Sequence, residues 1–332
     1  MGDLGPSAPP PVDGEVSSPP VLEDITVLVT GFGPFKDHPL NPSYLIASSL
    51  PSSIPFPTPS PSPPSSDANS TPPPPTRKIQ IHTHPAPLRV SYSAVRNAVP
   101  ALLNSYAQTH DGKRPDIIIH IGVAAQRQFY SVETLAHRDG YTMADVDGRV
   151  GFDDGERRWK GDSLPDILRP GPVSDTKSNV DTPTTLATTT RSATETLSTG
   201  EPSPSFSTTK SPSPTPPTAT AVSATATAST STPQSTRITP YPPDPTFLKQ
   251  WISLSPKSAD LRLSHDAGRY LCEFIFYTSL AQALQEGHPR SVVFFHVPKW
   301  TDDENLEKGR DVAIGLIETL ASSWVGDGEV VR

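Results

Sequence analysis

The chain has 332 residues, a formal net charge of −8 and a single cysteine, Cys272. Its basic residues are scattered rather than clustered, which argues against a nucleic-acid partner, and no apolar run approaches the ~20 residues of a membrane span. One thiol cannot close an internal disulfide, in keeping with a reducing compartment and a cytoplasmic location.

Proline is abundant, 42 residues in all, and nearly half of it falls in two tracts. Residues 1–20 ("MGDLGPSAPPPVDGEVSSPP") read as an acidic, Pro-rich tail with neither the basic nor the apolar region of a signal peptide. The first tract spans about 51–76 ("PSSIPFPTPSPSPPSSDANSTPPPPT") and the second about 172–236, including "SPSPTPPTATAVSATATASTST". Both lack the large apolar side chains that offset the entropy of ordering a chain, so both are expected to be disordered insertions. The remainder, 21–325 without those tracts, is expected to form one domain around one core.

In chain order, "ITVLVT" (Ile25 to Thr30) is a β-branched run that predicts a buried strand, and "PSYLIASSL" (Pro42 to Leu50) a short helix with Pro at its first position. "KIQIHTH" (Lys78 to His84) alternates like a strand; Val90 to Gln108 reads as a helix with a kink at Pro100. "DIIIHIG" (Asp116 to Gly122) and "FYSVETLA" (Phe129 to Ala136) predict two further strands. After the second tract come a helix containing Cys272, the strand "SVVFFHV" (Ser291 to Val297) and a last helix from about Asp303 to Ser322. Strands alternating with helices imply a mainly parallel, twisted sheet covered on both faces, an α/β fold whose ligand site lies beyond the carboxyl ends of the strands.

Three residues stand where that architecture places chemistry. Cys272 lies soon after "SHDAG", where Ser264 or Asp266 could cap a helix and Gly268 permits a tight entry. A thiol in a first helical turn has its thiolate favoured by the helix dipole; the alternative is a small buried hydrophobe. His296 ends a buried strand, where a neutral imidazole could take a thiol proton and later protonate a leaving amine, or could be a core histidine bonded to backbone. Glu133 interrupts an apolar pattern, either facing water or orienting His296.

The loop "TGFGPF" lacks the third glycine of a dinucleotide fingerprint. Phe32 and Phe35 in it fit the walls of a small uncharged pocket, or a hydrophobic plug. His82 and His84 share one strand face but have no third spaced ligand, so no metal site is expected. His120, inside an apolar run, reads as a buried residue.

Four segments, "VLVTGFGPFKDHPLNPS", "IIIHIGVA" with "SVETLAHRDGY", "DAGRYLCEFIFYTSL" and "FFHVP", resemble the type I pyroglutamyl peptidases (pyrrolidone-carboxylate peptidases), in that family's order. Together they cover nearly all of the expected core. The resemblance implies an open α/β/α sandwich and a cysteine omega-peptidase that removes an N-terminal pyroglutamyl residue through a thioester, without cofactor or metal. It assigns Cys272 as nucleophile, His296 as general base and acid, and Glu133 as the group that orients the histidine. Phe32, Phe35, Asn41 and Leu271 match the substrate-binding positions. Lys36 and Arg138 depart from the family, which more often has Gly and Asn there. Peptides with an N-terminal pyroglutamate are the implied partners, and monomer is the default state because no exposed stripe marks an interface. Two other readings stay open: an inactive member acting as a binding or regulatory protein, and a Cys-His-Glu hydrolase of another small amide or ester.

Overall fold

The computed structural model describes residues 23–35, 39–57, 77–172 and 243–325. The tail 1–20, most of both Pro-rich tracts, and Lys36 lie outside the described residues. The chain divides into Met1–Ser174 with Arg237–Arg332, which holds every described residue, and Asp175–Thr236, which lies outside them.

Nine strands, six α-helices and two short π-helical segments, Phe152–Glu156 and Ala321–Val325, are described. β1 (Ile25–Gly31), β3 (Lys78–Thr83), β4 (Ile117–Val123) and β9 (Val292–Val297) are mutually parallel neighbours, as their β-branched runs predict. β2 (Ser53–Pro55) pairs antiparallel with β3 at one edge. At the other side β5 (Tyr130–Glu133) runs antiparallel to β9 and parallel to β8 (Leu261–Ser264). The sheet order is β2-β3-β1-β4-β9-β5-β8. A separate two-stranded ribbon joins β6 (Ala136–His137) to β7 (Ile167–Leu168).

The side chains of Ile25, Val27, Val29, Ile117, Ile119, Ile121, Val293 and Phe295 point to one face. There they pack on α1 (Pro42–Ser48), α4 (Pro245–Leu254) and α6 (Asp303–Leu320). On the other face α2 (Tyr92–Thr109), α3 (Arg157–Gly161) and α5 (Leu271–Gln285) cover Leu28, Ile118, Val292 and Phe294. This is the expected α/β/α sandwich.

Three sequence expectations need correction. The first tract does not begin at Pro51 as unstructured chain: Ser53–Pro55 form β2, with Ile54 and Phe56 buried. Pro55 is tolerated because β2 is an edge strand that need not donate on its outer side. The helix carrying Cys272 is not capped by Ser264 or Asp266. Ser264 ends β8, Asp266 Oδ1 accepts from Gly268 N, and Tyr270 is the N-cap residue without a side-chain cap bond. Gly268 does provide the entry, at φ +76°. The stretch Phe129 to Ala136 is two strands rather than one, because β6 leaves the main sheet to pair with β7. α2 continues through Pro100 to Thr109.

Candidate active site

β4 and β9 lie side by side with Gly122 in register with His296, so both project to the face covered by α5. Phe294, two residues before His296, shares that face, its ring 4.7 Å from the imidazole. A Cβ placed on Gly122 would lie 2.4 Å from Phe294 Cζ and 3.0 Å from Cys272 Sγ. The thiol therefore rests against the bare backbone of β4, directly beside the strand that carries His296. Only glycine leaves that space.

Cys272 is the second residue of α5, after Leu271. Its N–H belongs to the first turn, where helical geometry supplies no backbone acceptor. Glu273, next in sequence, turns the other way into the protein. Its Oε1 accepts from the N–H of His137 at 3.1 Å and lies 2.8 Å from His137 Nδ1, and its Oε2 accepts from Arg269 at 2.7 Å. These bonds fasten β6 to the start of α5 and aim Cys272 at the sheet.

Glu133 Oε1 lies 2.7 Å from His296 Nδ1, both residues buried. Because β5 is antiparallel to β9, Glu133 sits opposite Phe294 rather than opposite His296, and reaches the imidazole diagonally. The same oxygen accepts from Arg127 Nη1 at 2.7 Å. Burial opposes the charge on Glu133, but the hydrogen bond and charge of His296, with Ser264 and Arg127, hold its carboxyl below the ordinary value. Burial lowers His296, against the raising influence of Glu133, so the imidazole is neutral near pH 7. Burial, reinforced by the charge of Glu133, pushes the Cys272 thiol up to about 12, although the residue keeps some exposure. The expectation of a dipole-stabilised thiolate is thus reversed in the resting protein, since desolvation outweighs the helix end. At rest the thiol and the imidazole are both neutral, and the imidazole is bonded to an ionised carboxylate.

Phe32 is buried at the end of β1, and with Leu271, Phe35, Tyr270 and Cys272 it belongs to one apolar cluster. The ring of Tyr270 lies between Phe35, 6.4 Å away, and Tyr92, 6.0 Å away. Asn41 caps α1: its Oδ1 accepts from Ser43 N at 3.1 Å and from Ser43 Oγ at 2.8 Å, while its Nδ2 donates to Gly33 O at 2.9 Å. Ser43 Oγ in turn receives the N–H of Phe32 at 3.0 Å. Asn41 therefore shapes the loop that carries the two phenylalanines. Arg138 donates to Leu164 O at 2.6 Å and pairs with Asp139 and Asp166, which engages it with the ribbon and the segment before β7.

The other histidines lie elsewhere. His120 is buried between Thr30 Oγ1 at 2.8 Å and Ser279 Oγ at 2.7 Å, and burial lowers it to about 3. His82 stacks edge-on against Tyr106 and His110, and His84 Nδ1 is 2.6 Å from Ala86 O. No group of three or more metal-ligating side chains occurs among the described residues. No described helix is long and apolar enough to cross a membrane.

Sequence reasoning assigned no role to Gly122, Arg127, Tyr270 or Glu273. Tyr270 and Glu273 lie within the cysteine segment itself; Arg127 sits in a loop whose partner Asp266 is remote in sequence, which no local pattern reveals.

No family model matches the chain. Among solved structures, two variants of pyrrolidone carboxyl peptidase from the hyperthermophile Pyrococcus furiosus align at TM-score 0.50 and 17% identity, over 90% of this chain and 99% of theirs. Pyroglutamyl peptidase I of Bacillus amyloliquefaciens aligns at TM-score 0.47 and 16% identity, over 90% of this chain and 97% of its own. At this identity the likeness to the Pyrococcus protein is one of fold, and it agrees with the family resemblance of the four sequence segments.

Proposed function

We propose that this chain is a cysteine omega-peptidase that releases pyroglutamate from the N-terminus of peptides. The observation that carries the reading is the meeting, around Gly122, of a thiol from α5 with an imidazole from β9 that is held by the buried carboxylate of β5. The fold shared with pyrrolidone carboxyl peptidase and the four sequence segments support the choice of substrate. The catalytic domain proposed spans 21–325, with the two tracts as insertions.

In this mechanism His296 accepts the Cys272 proton as sulfur attacks the pyroglutamyl carbonyl. The bond from sulfur to carbon forms, and the carbonyl electrons move to oxygen. That oxyanion is stabilised by first-turn N–H groups of α5, including that of Cys272. Collapse expels the peptide amine, which takes the proton from His296 and leaves a thioester. Water, deprotonated by His296, then attacks the thioester, and the thiol is regenerated with pyroglutamate released. Glu133 keeps Nδ1 protonated, so that Nε2 is the basic nitrogen, and offsets the imidazolium charge.

A neutral resting pair suits this route, because charge separation is deferred until substrate completes the site. The lactam carries no free amine, so its pocket needs apolar walls and a few backbone groups rather than an anionic anchor. Phe32, Phe35 and Leu271 are proposed as those walls, with Asn41 fixing their loop. The route requires neither metal nor organic cofactor.

The test is release of a fluorescent amine from a pyroglutamyl amide, against prolyl, alanyl and acetyl amides. Turnover confined to the pyroglutamyl substrate supports the proposal. Turnover of the other acyl groups alone moves the reading to a different amidase, and none from folded protein moves it to a binding role.

A further inference from the structure

Arg127 stands in the loop after β4, and its guanidinium makes three hydrogen bonds that converge on the candidate site. Nη1 donates to Glu133 Oε1 at 2.7 Å and to Ser131 Oγ at 2.6 Å; Nη2 donates to the backbone carbonyl of Asp266 at 2.7 Å. Ser131 is the register partner of His296 on β5, and Asp266 lies in the turn that leads into the helix of Cys272. One side chain therefore ties the carboxylate arm, the strand beside the imidazole and the approach to the nucleophile into a single frame. The ring of Phe129 lies 5.7 Å from its guanidinium carbon.

We propose that Arg127 is a positioning residue for the thiol and imidazole pair, acting through Glu133 and the Asp266 turn and supplying the cation that makes the buried carboxylate compatible with a reactive thiol. This inference rests on the assignment of Cys272 and His296 above, but not on the identity of the substrate. Three features favour it over a purely structural salt bridge. The bond goes to Oε1, the same carboxylate oxygen that His296 uses, so the two donors share one acceptor. The second arm donates to backbone, so both terminal nitrogens of a planar fork are engaged in one fixed geometry. Among the charged groups that act most strongly on Cys272 are Glu133, Arg127 and Glu273, and among those on His296 are Glu133, Arg127 and Asp266. Arg127 is the cation common to both sets. It favours the thiolate and disfavours the imidazolium, opposite in each case to Glu133.

Because the chain has one cysteine, iodoacetamide labelling read by mass reports on Cys272 alone, whatever the substrate proves to be. The rate is measured from pH 6 to 10 in the intact chain, in Arg127→Gln and in Arg127→Lys, each checked for folding by thermal melting. Removing the cation leaves the carboxylate uncompensated, so Arg127→Gln is expected to be labelled about tenfold more slowly at each pH, equivalent to a shift of about one pH unit. Arg127→Lys keeps the charge without the fork and is expected to fall between. A role confined to holding the fold gives the opposite sign, since a loosened site exposes the thiol and speeds labelling.

Labelling at the wild-type rate or faster in folded Arg127→Gln overturns the proposal. Should Arg127→Gln not fold, Arg127→Lys decides: slower labelling at a preserved melting temperature supports it, and an unchanged or faster rate overturns it. In the pyroglutamyl amide assay both variants are expected to lower kcat with little change in KM. Absence of wild-type turnover would count against the proposed substrate, and the labelling result would still decide the role of Arg127.

Discussion

Gly122 on β4 and Cys272 on α5 occupy complementary space: a methyl group on the glycine would stand 3.0 Å from the cysteine sulfur. The same methyl group would meet Phe294 Cζ at 2.4 Å, so the ring beneath His296 would also have to move. Gly122→Ala is therefore expected to lower turnover at least a hundredfold and stability by about 1–3 kcal/mol. Steady-state kinetics with denaturant unfolding checks this, and near-normal turnover would mean that the thiol does not act from this position.

Cys272→Ala removes one sulfur from a partly exposed position and leaves the hydrogen bonds of Glu133 and His296 in place. Turnover of a pyroglutamyl amide should vanish, with the melting temperature shifted by only a few degrees. Retained turnover would remove Cys272 from the mechanism.

Glu133→Gln should move two readouts in opposite directions. The carboxylate raises the Cys272 thiol, so its neutralisation is expected to speed labelling of the sulfur at a given pH. It also takes away the partner that orients His296 and balances the imidazolium, so kcat should fall about a hundredfold or more. Slower labelling in folded Glu133→Gln would contradict the electrostatic influence of the carboxylate on the thiol.

His120 gives a pH signature unrelated to catalysis. Burial lowers its pKa from 6.5 to about 3, so the folded protein keeps it neutral while the unfolded chain takes up a proton below pH 6.5. Its contribution is complete above pH 6.5 and is lost as pH falls toward 3, at about 1.4 kcal/mol per unit. His296, also lowered by burial, adds in the same direction. Urea unfolding between pH 7 and 5, above the range where most carboxylates titrate, should show this slope, and His120→Gln should flatten part of it. A wild-type stability that is level across that range would contradict the buried neutral state.

The sheet was legible because its central strands are continuous β-branched runs, and Ile117–Val123 and Val292–Val297 admit few other readings. β2 was not, because a single buried Ile54 and the neighbouring Phe56 are lost among prolines that otherwise argue for disorder. β8 was missed because its alternation, Leu261 and Leu263 against Arg262 and Ser264, runs for only four residues. The three proposed catalytic residues could be selected from strand ends and a helix start, aided by the family resemblance. Their protonation could not: a helix end suggests a stabilised thiolate, while burial and the nearby carboxylate of Glu133 decide otherwise. Arg127 was invisible for a different reason, since its importance lies in acceptors that folding gathers from Glu133, Ser131 and the Asp266 backbone.

The neutral thiol of Cys272 also bears on survival in a chemically hostile medium. Peroxides and adventitious electrophiles react with thiolates far faster than with thiols, and at a pKa of about 12 this sulfur spends nearly all its resting time in the inert form. A protein with one cysteine has no spare to absorb damage or to reverse it by internal exchange. On the proposed mechanism, silence between turnovers is then a form of protection: the sulfur would be unmasked only when a substrate brings its own carbonyl to meet it.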